Sequence, residues 1–196
     1  MATFRAVAAV SRAILKLLED ACPRAEFPNA QFDLQQALDF QKSPLAEGVT
    51  LLLYRVAVTT ARRNLPPRTE PDGRRFKAPL PLDLYYALCI WGRTADVQQR
   101  LLGFCARVLE DTPILPAGLL NHSAPEPSTF SPQETVQIVA EGLSLQDLHQ
   151  LLDLLRPNVP LALTYVARMV SLDSEIPIAD AAFAQTRAFE IASSVE

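Results

Sequence analysis

Glycine is scarce in this chain, 6 of 196 residues, about half its usual share. The six are Gly48, Gly73, Gly92, Gly103, Gly118 and Gly142, and no two fall close enough to build a dinucleotide fingerprint or a P-loop. Cysteine is also scarce: Cys22, Cys89 and Cys105 are odd in number and widely spaced, which excludes a disulfide scaffold and fits a reducing compartment. With His122 and His149 the only histidines, no metal-ligand spacing exists. A serine-hydrolase G-x-S-x-G elbow is missing as well. No apolar run reaches the ~20 residues that a bilayer helix needs. The alanine- and leucine-rich start is broken by Arg12 and Lys16, so no signal peptide is expected.

What the chain has is apolar bulk. Hydrophobic residues make up 49% and charged residues 20%, enough to bury a core and to exclude wholesale disorder. The net charge of -4 argues against broad wrapping of nucleic acid or anionic lipid, so any basic site must be local. Proline, at 16 residues, is above its usual share and punctuates the chain heavily.

Residues 2–21 carry Phe4, Val7, Ala8, Ile14, Leu15 and Leu18 at three- and four-residue steps, which predicts an amphipathic helix stopped by Pro23. Residues 23–48 mix signals and read as an irregular excursion. Val49 to Val58 and Leu80 to Trp91 read as two strands of a hairpin with a long, turn-rich loop. Thr94 is placed to cap a helix running to Leu109 that must end before Pro113.

The segment from Pro113 to Pro132 has no period and reads as an ordered excursion or functional loop. Thr135 to Ala140 reads as a strand, and Ser144 with Asp147 as the capping box of a short helix closed by Pro157. Leu161 to Leu172 is apolar on both faces, as in the middle of a covered sheet. The expected fold is therefore α+β. A mostly antiparallel sheet of about four strands with a long hairpin is packed by an N-terminal, a central and a short late helix. Residues 1–174 are read as the domain, and 175–196 as a C-terminal arm or helix without an intramolecular partner.

Candidate chemistry is thin. A catalytic Cys105 paired with His149, or a dyad from Glu19-Asp20 or Glu110-Asp111, would have to be assembled by folding alone, and adjacent acids on a helix point apart. The one concentrated charge is Arg62, Arg63, Arg68, Arg74, Arg75 and Lys77 in the hairpin loop, set against Glu70 and Asp72. These could meet an acidic protein surface or phosphate. Single-stranded nucleic acid is the weaker reading because Phe76 is the lone stacking partner there. Phe183 and Phe189 on the tail complete the candidate contact residues. No catalytic, cofactor or metal residue is assigned.

The order of motifs resembles the tail-terminator, or cap, proteins of extracellular contractile injection systems and, more distantly, phage tail terminators. The resemblance rests on Val10-Ser11-Arg12 with the helix that follows, Leu53-Tyr54-Arg55-Val56, Arg63-Asn64, Leu82-Asp83-Leu84-Tyr85-Tyr86 with Trp91-Gly92, Val108-Leu109-Glu110-Asp111-Thr112-Pro113 and Leu143-Ser144-Leu145. It covers about residues 7–174. The chain departs from the pattern at Trp91-Gly92-Arg93-Thr94 and in the proline-rich segment. The resemblance implies a non-enzymatic structural cap in a tail-terminator-like fold. It also implies a hexameric ring of identical subunits that contacts tube and sheath protein, assembles in the cytoplasm and then belongs to the extracellular particle. The alternatives from the residues alone are a small-molecule enzyme or an accessory nucleic-acid binder using the basic loop.

Overall fold

The computed structural model describes residues 2–41, 45–59, 64–70, 72–124, 129–158 and 160–178. In chain order these form α1 (Ala6–Ala21), β1 (Gln31–Gln35), a short 3-10 helix (Ala37–Gln41), β2 (Gly48–Val58), β3 (Arg68–Thr69) and β4 (Arg75–Phe76). There follow β5 (Leu80–Trp91), α2 (Ala95–Asp111), β6 (Ile114–Pro116), α3 (Ala117–His122), β7 (Thr135–Ala140), α4 (Leu145–Leu154) and β8 (Leu161–Leu172).

The α+β class holds, but the sheet is larger than the expected four antiparallel strands. It is six-stranded and mixed, in the order β1-β2-β5-β8-β7-β6. The two added strands sit at its edges. β1 runs parallel to β2, with Gln31 opposite Gly48 and Gln35 opposite Leu52, in a segment whose sequence reads as irregular. β6 pairs with β7 through Ile114 to Pro116, and α3 follows it directly, so the proline-rich stretch contains both a strand and a helix. Both edge strands are too short to show a period.

The central strands match their reading. β2 and β5 form the antiparallel pair and β8 lies between β5 and β7. Side chains alternate across β5: Leu84, Tyr86, Leu88 and Ile90 face one core, Ala87, Cys89 and Trp91 the other. α1, α2 and α3 cover the first face through Ile14, Leu18, Leu101, Cys105 and Leu120. α4, its C-cap residue Leu155 and the 3-10 helix cover part of the second through Leu151, Leu155 and Phe40. Fully burying each such leucine or phenylalanine contributes about 1.5–3 kcal/mol, so the two layers together hold the sheet.

α1 starts at Ala6, later than its pattern suggests, and this corrects the expectation for Phe4: the ring lies ahead of the first turn and is 74% exposed. Ser11 faces inward instead, with its hydroxyl donating to the Val7 carbonyl at 3.1 Å and lying 2.9 Å from the Tyr86 hydroxyl. That partner satisfies the otherwise isolated phenol, whose pKa burial pushes up.

The capping signals hold. Thr94 accepts the Val97 amide at 3.3 Å, and Ser144 accepts that of Asp147 at 3.1 Å while donating to its carboxylate at 2.6 Å. Gly92 lets the turn after β5 press on α2, because a Cβ there would lie 2.7 Å from the Gln98 amide nitrogen. The same turn is tied by the Gln98 side-chain amide, which donates to the Ile90 carbonyl at 2.8 Å.

Candidate protein interface

The sheet keeps the candidate nucleophile and base apart. Cys105 points from α2 into the first core and His149 rides on α4 over the opposite face. Burial pushes the Cys89 and Cys105 thiols up to about 12, so both stay protonated at neutral pH. The acid pairs are held by local cations: Lys16 meets Asp20 at 2.7 Å, Arg24 meets Glu19 at 3.5 Å, and Arg107 binds Asp111 one turn away. Among the described residues no group of three or more His, Cys, Asp or Glu is gathered for a metal ion.

The basic loop folds as a two-stranded ribbon of β3 and β4 with Gly73 in its turn at φ 86°. Its acids are not spectators. Glu70, only 12% exposed, accepts Arg68 at 3.0 Å and Arg74 at 2.9 Å, and Asp72 takes the Arg74 guanidinium at 2.6 Å. The Arg68 guanidinium also lies 4.6 Å from the Phe76 ring centroid. The hydrogen bond from the Arg74 backbone amide, followed by that from the Arg74 guanidinium, holds the Asp72 carboxyl below its usual range. Arg75 and Lys77 are exposed on the same ribbon, while Arg62 and Arg63 lie outside the described residues.

The start of the tail has a partner that its sequence does not announce. The Asp173 amide donates to the Ala2 carbonyl at 2.8 Å, Lys77 donates to Ile176 at 3.1 Å, and Ile178 donates to Arg75 at 2.8 Å. Pro177 bridges to Phe76, so residues 176–178 lie antiparallel beside β4 through a single isolated bridge. This corrects the expectation of an unpartnered tail as far as Ile178; Phe183 and Phe189 lie outside the described residues.

Asp173 anchors that junction near Arg68, whose Nε stands 3.9 Å from its carboxylate and has no hydrogen-bond partner. Burial raises the Asp173 carboxyl, partly offset by Arg68. A carboxyl raised on folding takes up a proton more readily in the folded state. Its contribution to stability is therefore lowest above the raised pKa and recovers as pH falls through it. Asp173→Asn is expected to stabilise the chain slightly at pH 7, with the gain vanishing on acidification, as read from melting temperature against pH. A loss at pH 7 would show that the Arg68 attraction outweighs burial.

At the opposite edge, β1 covers only Gly48 to Leu52 of β2, so beyond Leu52 the outer side of β2 has no neighbouring strand among the described residues. A groove of about 690 Å³ runs beside it, lined by Phe4, Val7, Leu34, Leu52, Leu53 and Tyr54. A β-bulge between Leu53 and Arg55 turns Tyr54 and Arg55 toward Tyr85, at ring separation 6.3 Å and cation–ring distance 4.6 Å. The Tyr54 hydroxyl donates to Glu141 at 3.2 Å, and burial, reinforced by that carboxylate, raises the phenol to about 12.

The family model described as the Pvc16 N-terminal domain matches residues 9–182. The chain belongs to that family. This Pvc16 N-terminal domain is similar in fold to the sheath/tube terminator of PVC, an extracellular contractile injection system, in its extended state. The TM-score is 0.62 at 14% identity, covering 97% of this chain and 63% of that one. It is also similar to the tube-terminating cap of the anti-feeding prophage, with TM-score 0.52 at 14% identity, covering 95% of this chain and 60% of that one. The Pvc16 N-terminal domain thus spans less than two thirds of either neighbour. No curated protein matches the sequence. The resemblance to tail terminators of contractile injection systems read from the sequence therefore holds.

In this Pvc16 N-terminal domain Phe4 and Leu34 are exposed at the groove, Leu38 on the 3-10 helix, and Val56 and Val58 on β2 itself. The available signal in the sequence is the break in alternation at Leu51-Leu52-Leu53-Tyr54, which marks the bulge.

Proposed function

We propose that this chain is a structural cap that ends the tube and sheath of an extracellular contractile injection particle and so fixes its length. The observation that carries the reading is a terminator fold matched over nearly the whole chain together with family membership. Six copies form a ring by head-to-tail contacts, each subunit using two different surfaces as such a ring requires. The residue 175–196 arm and the basic ribbon reach the neighbouring subunit, tube or sheath through Arg62, Arg63, Arg68, Arg74, Arg75, Lys77, Phe183 and Phe189. No catalysis takes part: the chain works by shape and contact. It assembles in the cytoplasm and leaves as part of the particle; among the described residues no helix is long and apolar enough to cross a membrane.

Two of the proposed cations, Arg68 and Arg74, already bind acids of their own ribbon, so they hold its shape and present Arg75 and Lys77 outward. The test combines light scattering of the purified chain over a range of concentrations with electron microscopy of particles assembled with and without it. A six-fold ring on the end of tubes of uniform length supports the cap. Tubes of unchanged length distribution without the chain would overturn it.

A further inference from the structure

We propose that the uncovered stretch of β2, Leu53 to Val58, is a docking edge for an extended strand of another protein that sets an acidic side chain against Arg55 and apolar ones against Val56 and Val58. Three independent features meet there. First, β1 ends its pairing at Leu52, and among the described residues only β5 lies beside the rest of β2, which leaves one side of its backbone open. An open edge is a template for main-chain hydrogen bonds to an incoming strand.

Second, that stretch carries apolar side chains where a finished edge would carry charge. Val56 and Val58 are 49% and 44% exposed, yet they stand opposite the buried Leu84 and Leu82. Edge strands that stay unpaired are usually blunted by charge, proline or a bulge; here the bulge lies at the start of the stretch and Arg55 is its one charge, which leaves Val56, Ala57 and Val58 without lysine or proline. The groove beside Phe4 and Leu34 continues the apolar strip at the end of β1.

Third, the bulge sets Arg55 on the opposite face, exposed and stacked over Tyr85 at 4.6 Å, and among the described residues no carboxylate pairs with it. On the basic ribbon, by contrast, Arg68 and Arg74 each hold an acid. The carboxylates lining the adjoining cleft of about 500 Å³ are already engaged, Glu141 by Tyr54 and Asp147 by Ser144, and Asp83, diagonal to Arg55 across the β2-β5 pair, accepts the Met169 amide. Side chains of an added strand alternate between faces, so a sequence alternating acidic and valine-like residues satisfies both sides at once. This inference goes beyond the capping role and does not depend on it.

The test uses the full chain and labelled synthetic peptides in fluorescence anisotropy: one alternating glutamate and valine, one with lysine in place of glutamate, and one interrupted by a central proline. The glutamate–valine peptide is expected to bind, and the proline peptide to fail because it cannot complete the ladder. Arg55→Glu is expected to weaken the glutamate peptide at least about tenfold and to gain binding of the lysine peptide, and Val56→Lys to weaken both. Both residues are exposed, so the variants should keep the wild-type melting temperature. Absence of glutamate–valine binding, or binding indifferent to Arg55→Glu and to the proline, overturns the proposal. Self-association of the chain that Val56→Lys abolishes would also overturn it, by assigning the edge to a second copy.

Discussion

Gly48→Ala is expected to cost about 2–5 kcal/mol of stability, among the largest effects of any single methyl group in this chain. Two causes act together. Gly48 sits at φ 145°, a conformation that side chains rarely adopt, and a Cβ built there would lie 2.1 Å from the Gln31 carbonyl oxygen. That oxygen belongs to β1, the parallel strand paired with β2. The backbone cannot yield without breaking the β1 pairing, so the loss should appear in denaturant midpoints and as faster amide exchange over residues 31–35. Gly103→Ala is the internal control: mid-helix, with nothing within 4 Å of the added Cβ, it should be neutral or stabilising by up to about 1 kcal/mol. A Gly48→Ala loss below that of an ordinary surface change would show that β1 is not held against β2 as described.

Phe40→Ala is expected to cost about 3–5 kcal/mol, because the ring is fully buried in the second core layer and its loss leaves a cavity. Phe40 packs on Trp91 with ring centroids 5.9 Å apart, and its carbonyl accepts the Asn158 side-chain amide at 2.8 Å. It thereby ties the segment after β1 to the end of α4 and to β5. Besides the lower midpoint in denaturant, amides of residues 145–155 should exchange faster while those of α1 change little. A loss under about 1 kcal/mol would mean that the second face carries little of the stability.

Phe40 also marks the limit of what the sequence discloses. The β2-β5 hairpin, the Thr94-capped helix, β7, the Ser144 capping box and β8 could be placed because each has a local signal: an apolar period, a cap, or a proline that stops it. β1 could not. Its five residues Gln31–Gln35 are mixed in polarity, with three of them exposed, and its partner is parallel and arrives only after a long connection. β6 and α3 were concealed for a similar reason, being short elements among prolines that read as breakers.

The interface residues divide the same way. That the loop is basic is plain from Arg68, Arg74, Arg75 and Lys77, but that Glu70, Asp72 and Asp173 bind two of those arginines depends on where the ribbon turns and where the tail crosses it. Conversely Arg55 enters the sequence only as part of Leu53-Tyr54-Arg55-Val56, and it becomes a candidate contact residue only because the bulge places it beside Tyr85 with no carboxylate pairing it among the described residues.

By itself the sequence determined the α+β class, the central strands, the capped helices and the exclusion of nucleotide-cradle and disulfide chemistry, because periodicity, caps and composition act over a few neighbouring residues. Only the tertiary structure decided the parallel edge strand, the two-sided core, the docked start of the tail and the edge of β2 that no strand covers among the described residues. Those depend on pairings between distant segments, whose free energy is spread over many weak contacts and leaves no mark at any one position.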